Sequence, residues 1–155
     1  MDKEEFFTFR QYMQKDGDAL TASAEDYLEM IYRLSIIKNY TRMGDLAEAL
    51  NVQTPSATKM VQKLSDLNLV KYEKYGVISL HEKGKKIGKF LLDRHNTIDR
   101  FLSILEVSEV LEETEKIEHT IDEDTLWAMK DLVKFFDENK DIMNKFKNSR
   151  QNRRK

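Results

Sequence analysis

The chain holds a single proline, Pro55, and five glycines in 155 residues. These residues are what ordinarily interrupt helices, so long helices are expected to dominate. The proline itself marks a beginning rather than a break. In Thr54-Pro55-Ser56-Ala57-Thr58-Lys59-Met60-Val61-Gln62-Lys63-Leu64, Thr54 is placed to cap a helix and Pro55 to occupy its first turn, where no N–H is needed. Ala57, Met60, Val61 and Leu64 then recur at i, i+3, i+4, i+7 and make one buried stripe. Ser56, Thr58, Lys59, Gln62 and Lys63 are left on the other face. Upstream, Met43–Leu50 forms a shorter amphipathic helix, and Asn51-Val52-Gln53 joins the two with the tight turn of a helix-turn-helix. Asn51 suits the left-handed position past the first helix. The pattern predicts a DNA-reading helix presented N-terminus first.

The flanking segments complete that module. A helix capped by Ser23, with Asp26 in the capping-box position, carries the apolar stripe Tyr27, Leu28, Ile31, Leu34 and Ile37. Downstream, the β-prone runs 69–73 and 77–80 flank Lys74-Tyr75-Gly76 and predict a hairpin whose tip offers Lys71, Lys74 and Tyr75 to phosphates. Three helices and a hairpin make a winged helix-turn-helix over 21–92. From Glu82 a long connector helix is expected to run through Phe90, Ile98 and Leu102 to Leu105. Two further apolar-striped helices, one with Val110, Leu111, Ile117 and Ile121 and one from Leu126 to Phe136, predict an all-helical dimerisation domain over 93–140. The fold class is therefore mainly α. Residues 1–20 form an extension in which Phe6, Phe9, Tyr12 and Met13 have helical spacing, and 141–155 reads as a basic tail, frayed from Lys145.

Charge separates the same regions. Residues 19–92 carry 11 basic against 8 acidic groups, whereas 93–145 carry 7 against 15. Residues 146–155 hold 5 basic groups and no acid. The front half has the sign that phosphate contact requires, and the acidic half needs another use. With no cysteine, disulfides, thiolate zinc sites and iron–sulfur clusters are excluded, which agrees with a cytoplasmic protein. No apolar run approaches the roughly 20 residues that span a bilayer, so no membrane partner is expected.

One use of the acids is metal binding. Glu115, Glu118 and His119 fall at i, i+3, i+4 on one helical face, His95 stands on the connector with Asp99 one turn on, and Asp26 and Glu29 share a face of the first helix. A carboxylate and imidazole set without thiolates suits Mn²⁺ or Fe²⁺ better than copper or structural zinc. The same residues also read as an ordinary acidic helix face, a helix histidine, a first-turn acid at Asp26 and a solvated Glu29. Spacing alone leaves both readings open.

The combination of segments decides between them. Glu25-Asp-Tyr-Leu-Glu29-x-Ile31-Tyr32, Asp45-Leu-Ala-Glu-Ala-Leu50, Ser56–Leu64, Tyr72-Glu-Lys-Tyr75, Lys83-Gly-Lys-Lys-Ile-Gly88, Arg94-His95 and Glu115-x-Ile-Glu118-His119 together resemble the diphtheria toxin repressor family, in its manganese-responsive branch. The resemblance runs from about Ser23 to Phe136. It implies a repressor of a double-stranded operator; the positions of the recognition helix and wing assign the DNA contacts to Thr54, Pro55, Ser56, Thr58, Lys59, Lys63, Lys71, Lys74 and Tyr75, and the two apolar helices of the back half predict a homodimer. The resemblance also implies a binuclear Mn²⁺ site made by Asp26, Glu29, His95, Glu115, Glu118 and His119, with no small-molecule substrate. Iron-responsive members commonly carry cysteine at the position of Glu115 and methionine at that of Asp26, so the oxygen ligands here point to manganese, with Fe²⁺ the alternative. The sequence departs from the resemblance at Thr120, where a manganese regulator of the branch has a second histidine, and at His81, where threonine is usual. A carboxylate-bridged di-metal helical enzyme is the distant alternative. It usually needs paired Glu-x-x-His motifs, and Ile78, Leu92 and Lys116 stand where the glutamates should be.

Overall fold

The computed structural model describes residues 20–153. The helix expected over Phe6 to Met13 lies outside the described residues. The chain divides into two compact units, Met1–Leu92 and Asp93–Lys155.

In the first unit, α1 (Ala22–Ser35) is capped by Thr21, whose hydroxyl accepts from the Ala24 N–H at 3.2 Å. This corrects the expectation of a Ser23 cap. Thr21 has the extended backbone that a cap needs, and its carbonyl accepts the first helical bond from Glu25, so Ser23 already lies within the first turn. Tyr27, Leu28 and Ile31 are buried as the stripe predicts. Ile37, at 90% exposure, lies past the helix end and does not join them. β1 (Thr41–Arg42) leads into α2 (Met43–Ala49). That helix closes on a Schellman motif, with Val52 N–H donating to Ala47 O, Asn51 N–H donating to Glu48 O, and Asn51 at φ 52°. The reorientation expected at Asn51 is therefore present.

Helix α3 (Thr54–Asp66) starts one residue earlier than the capping argument placed it. Gln53 is the N-cap, because its carbonyl already accepts from Ala57 N–H, so Thr54 and Pro55 occupy the first two helical positions. Proline is tolerated there for the same reason as at N1: first-turn N–H groups have no intrahelical acceptor. Ala57, Val61 and Leu64 are fully buried, and each larger aliphatic side chain so placed contributes about 1.5–3 kcal/mol. A second Schellman closure, on Asn68 at φ 55°, turns the chain into β2 (Val70–Tyr72).

A tight turn at Lys74–Gly76 leads to β3 (Val77–Leu80), and Glu73 N–H donates to Val77 O at 2.8 Å to close the hairpin. The sheet is antiparallel in the order β1-β3-β2, with Thr41 opposite Ile78 and Val70 opposite Leu80. Two residues are too few for periodicity to reveal β1 in the sequence. Helix α4 (Glu82–Ile104) follows directly. Gly84 permits its close start: a Cβ there would lie 2.0 Å from the Leu69 carbonyl oxygen.

The second unit contains the end of α4, then α5 (Val110–Glu118), α6 (Glu123–Glu138) and α7 (Lys140–Arg153). Asp122 caps α6, accepting from Thr125 N–H at 2.8 Å. Ile121 falls in the turn after α5 rather than on its stripe. The fraying expected from Lys145 onward is corrected as far as Arg153. Met143 is buried with Ile104 and Phe136, Val133 and Phe146 pack against them, and this apolar anchor orders a helix whose polar composition alone would not.

Candidate DNA interface and metal centre

Two sets of candidate functional side chains emerge, one in each unit. On α3, Thr54, Pro55, Ser56, Lys59, Gln62 and Lys63 are exposed opposite the fully buried Ala57–Val61–Leu64 stripe. A rigid backbone thus carries a continuous polar face. Thr58 is half-buried and its hydroxyl donates to the Thr54 carbonyl at 2.9 Å, so its methyl and its oxygen lone pairs are what it can offer a ligand. On the wing, Tyr75 (φ 65°) and Gly76 (φ 72°) are consecutive left-handed residues that throw the Tyr75 ring out to 92% exposure. Gly76 adopts this conformation without cost, while Tyr75 bears a steric penalty of about 1–2 kcal/mol.

Lys74 is exposed beside Tyr75, and Lys71 forms an ion pair with Glu73 at 2.5 Å. Exposed pairs of this kind contribute about 0–1 kcal/mol, so Lys71 can exchange its carboxylate for a phosphate at little cost. Arg42, exposed on β1 opposite Val77, adds a basic group that sequence reading passed over. Only the strand pairing brings it to the wing.

In the second unit, α4 contributes Arg94 and His95, and α5 contributes Glu118 and, at its C-cap, His119. His95 Nδ1 lies 2.9 Å from Glu118 Oε2, and His119 Nε2 lies 3.7 Å from Glu118 Oε1. The Arg94 guanidinium stands 3.5 Å from His119 Nδ1. Glu118 is 3% exposed. Burial pushes its carboxyl up, but the hydrogen bond from His95 and the charges of His95, Arg94 and His119 outweigh that and leave it below its ordinary value.

Three of the six ligands named from sequence therefore meet within this unit. Glu115 shares α5 but is exposed one turn earlier. Asp26 and Glu29 belong to α1 in the first unit. Asp26 is exposed there, while Glu29 is buried and ion-paired with Arg33, which corrects the reading of Glu29 as solvated. A buried carboxylate flanked by two imidazoles, in a chain without thiols, fits a hard or borderline divalent cation. Arg94 was visible in the sequence only as the neighbour of His95, and its burial and charge at the cluster come from the packing.

A winged helix-turn-helix followed by a helical unit with an imidazole–carboxylate cluster defines a metal-dependent DNA-binding transcriptional regulator. Comparison with known proteins agrees. Residues 19–78 match the family model described as iron dependent repressor, N-terminal DNA binding domain, and residues 81–147 match its metal binding and dimerisation domain. The chain belongs to this iron-dependent repressor family, which is the diphtheria toxin repressor type inferred from its motifs. The HTH-type transcriptional regulator MntR of Bacillus subtilis is 46% identical over 120 residues, covering 76% of this chain and 84% of the relative. That of Lysinibacillus sphaericus is 42% identical over 132 residues, covering 84% and 95%.

Among solved structures, the manganese regulator SloR has 29% identity and a TM-score of 0.64, covering 75% of this chain and 55% of that one. The IdeR of T. acidophilum has 27% identity and a TM-score of 0.62, covering 72% and 53%. The chain spans about half the length of these two structures. Among the described residues no helix is long and apolar enough to cross a membrane.

Proposed function

We propose that the chain is a Mn²⁺-responsive repressor of metal-uptake genes, working in the cytoplasm as a homodimer on a double-stranded operator, and that it is a regulator rather than an enzyme. The observation that carries the metal reading is the buried Glu118 carboxylate held between His95 and His119. Asp26, Glu29 and Glu115 complete a binuclear set in this reading, which the similarity to MntR regulators supports. A bound divalent ion supplies positive charge among carboxylates that otherwise repel one another.

The chain's own part lies in where the ligands sit. Asp26 and Glu29 are on a helix of the DNA-binding unit, and Glu115, Glu118 and His119 are in the other unit. Ligands drawn from both units onto one centre favour a single arrangement of the recognition helices in a dimer. Operator half-sites have fixed spacing, so a narrower range of arrangements raises the competent fraction and the apparent affinity. Coupling between metal and DNA is then reciprocal. On α3, Thr54, Ser56 and Thr58 reach base edges, while Lys59, Lys63, Lys71, Lys74 and Tyr75 meet the backbone.

The exposed apolar side chains Leu111, Leu132, Phe135 and Ile142 support dimerisation through the helical unit. Titrating Mn²⁺, Fe²⁺ and Zn²⁺ against a labelled operator, with wild type, Glu115→Ala, Glu118→Ala and the Asp26→Met/Glu115→Cys double variant, tests the reading. Wild type should respond best to Mn²⁺, both alanine variants should lose the response, and the double variant should shift towards Fe²⁺, Co²⁺ or Zn²⁺. An unchanged Mn²⁺ curve for Glu115→Ala removes that residue from the site, and an unchanged curve for Glu118→Ala refutes the cluster.

A further inference from the structure

The C-terminal end of α7 has no part in the reading above. Residues 146–155 hold five basic groups and no acid, at the end of a unit whose residues 93–145 are strongly acidic. A solvated like-charge run normally remains unfolded, because cations three and four residues apart on a helix repel by roughly 0.2–0.5 kcal/mol each. Here the run is helical to Arg153. Cations in a last turn do gain from the helix dipole, which accounts for part of their placement.

Two observations show a surface rather than a fringe. Phe146 packs on Phe136 with ring centroids 5.3 Å apart, joining the Ile104–Phe136–Met143 cluster, so the helix is pinned to its unit. Just beyond, the Arg150 guanidinium lies 5.9 Å from the Phe146 ring centroid, and its Nε is buried with no hydrogen-bond partner. Lys147, Arg150 and Arg153 recur every three residues and so form a shallow spiral along one side of the helix. The helix thus passes from an apolar anchor to an ordered set of cations within two turns.

We infer that Lys147, Arg150 and Arg153 form a second, sequence-independent DNA contact that binds phosphates flanking the operator. Phosphate is favoured over a second copy of the chain because several cations in a row, without interleaved apolar groups, match a polyanion of regular charge spacing rather than a packed protein face. The contact adds to the affinity delivered by α3 and the wing without adding sequence preference.

The test compares the full chain with Lys147→Gln/Arg150→Gln/Arg153→Gln on the bare operator and on the operator extended by ten base pairs at each end, both over a range of salt. In the wild type the extended operator should bind about tenfold more tightly at low salt. In the triple variant that advantage should vanish, and the slope of log affinity against log salt on the extended operator should fall by about 2–3. Discrimination between operator and random sequence of equal length should stay unchanged. An unchanged slope overturns the inference. So does a loss of affinity that sedimentation traces to a monomer, which would assign the basic helix to the second copy. Melting of the metal-free variant separates either result from unfolding.

Discussion

Replacing Gly84 with alanine tests how the DNA-binding unit holds its wing. The added Cβ would sit 2.0 Å from the Leu69 carbonyl oxygen, 2.9 Å from its carbonyl carbon and 3.2 Å from Leu80 Cδ2. The first two are backbone atoms at the root of the hairpin, so no side-chain rotation relieves the clash. Overpacking of this kind costs about 1–3 kcal/mol. The same carbonyl accepts from the His81 N–H at 3.0 Å, so moving it also weakens a bond worth about 0.5–1.5 kcal/mol. Alanine recovers roughly 0.8–1 kcal/mol of helix propensity. The net expectation is a loss of about 1–3 kcal/mol, which for a unit of this size lowers the melting temperature by roughly 5–20 °C.

Gly44 is the control, since a Cβ there meets nothing within 4 Å and its helical backbone suits alanine. Gly44→Ala should raise stability by about 0.4–1 kcal/mol. Thermal melts by circular dichroism on both variants, with random-DNA affinity measured below the transition, decide the point. If Gly84→Ala melts at or above the wild-type temperature, close packing of α4 on the wing root is not what holds the hairpin in place.

Lys71→Ala should weaken operator and random DNA alike by a few-fold and flatten the salt dependence by less than one unit, because Glu73 already shares its charge; a loss of sequence preference with random-DNA affinity intact would contradict the phosphate role. Phe135→Glu, placed on an exposed aromatic of α6, should shift sedimentation of micromolar protein from dimer to monomer, and a wild type already monomeric with and without Mn²⁺ would remove the dimer from the account. Because the folded protein holds Glu118 below its ordinary value near 4.5, this group's stabilisation of the metal-free helical unit is complete above that value and is lost as pH falls through the lower folded value. Melting between pH 7 and pH 3 should therefore fall more steeply in wild type than in Glu118→Gln below pH 4.5; parallel curves would show that the His95 contact contributes nothing.

The local grammar of the chain was legible because it acts over one or two helical turns. Asn51 reads as a helix stop since its left-handed backbone satisfies carbonyls only three and four residues away, and the stripe of Ala57, Val61 and Leu64 repeats within a single helix. Capping was legible only to within one or two residues. Thr21 and Ser23 both offer a hydroxyl, and which one caps depends on where the backbone leaves the extended region. The residue types of the imidazole–carboxylate cluster were legible too, since Glu118 and His119 are adjacent in sequence.

What the tertiary structure alone decided are the relations between segments that no periodicity links. His95 meets Glu118 across 23 residues, and Arg94 is buried against His119. Glu29 looks like a surface acid by position yet is buried on an ion pair with Arg33. Arg42 joins the wing through a two-residue strand that exists only because β3 supplies its partner. The polar stretch after Lys140 becomes a helix because Met143 and Phe146 find the Ile104–Phe136 cluster. The sequence by itself determined the helices, the wing and the residue types available to the cluster, since propensity, capping and apolar spacing are local free energies. Packing decided which charges are buried and which meet, because desolvation and ion pairing depend on neighbours that arrive only when the chain has folded.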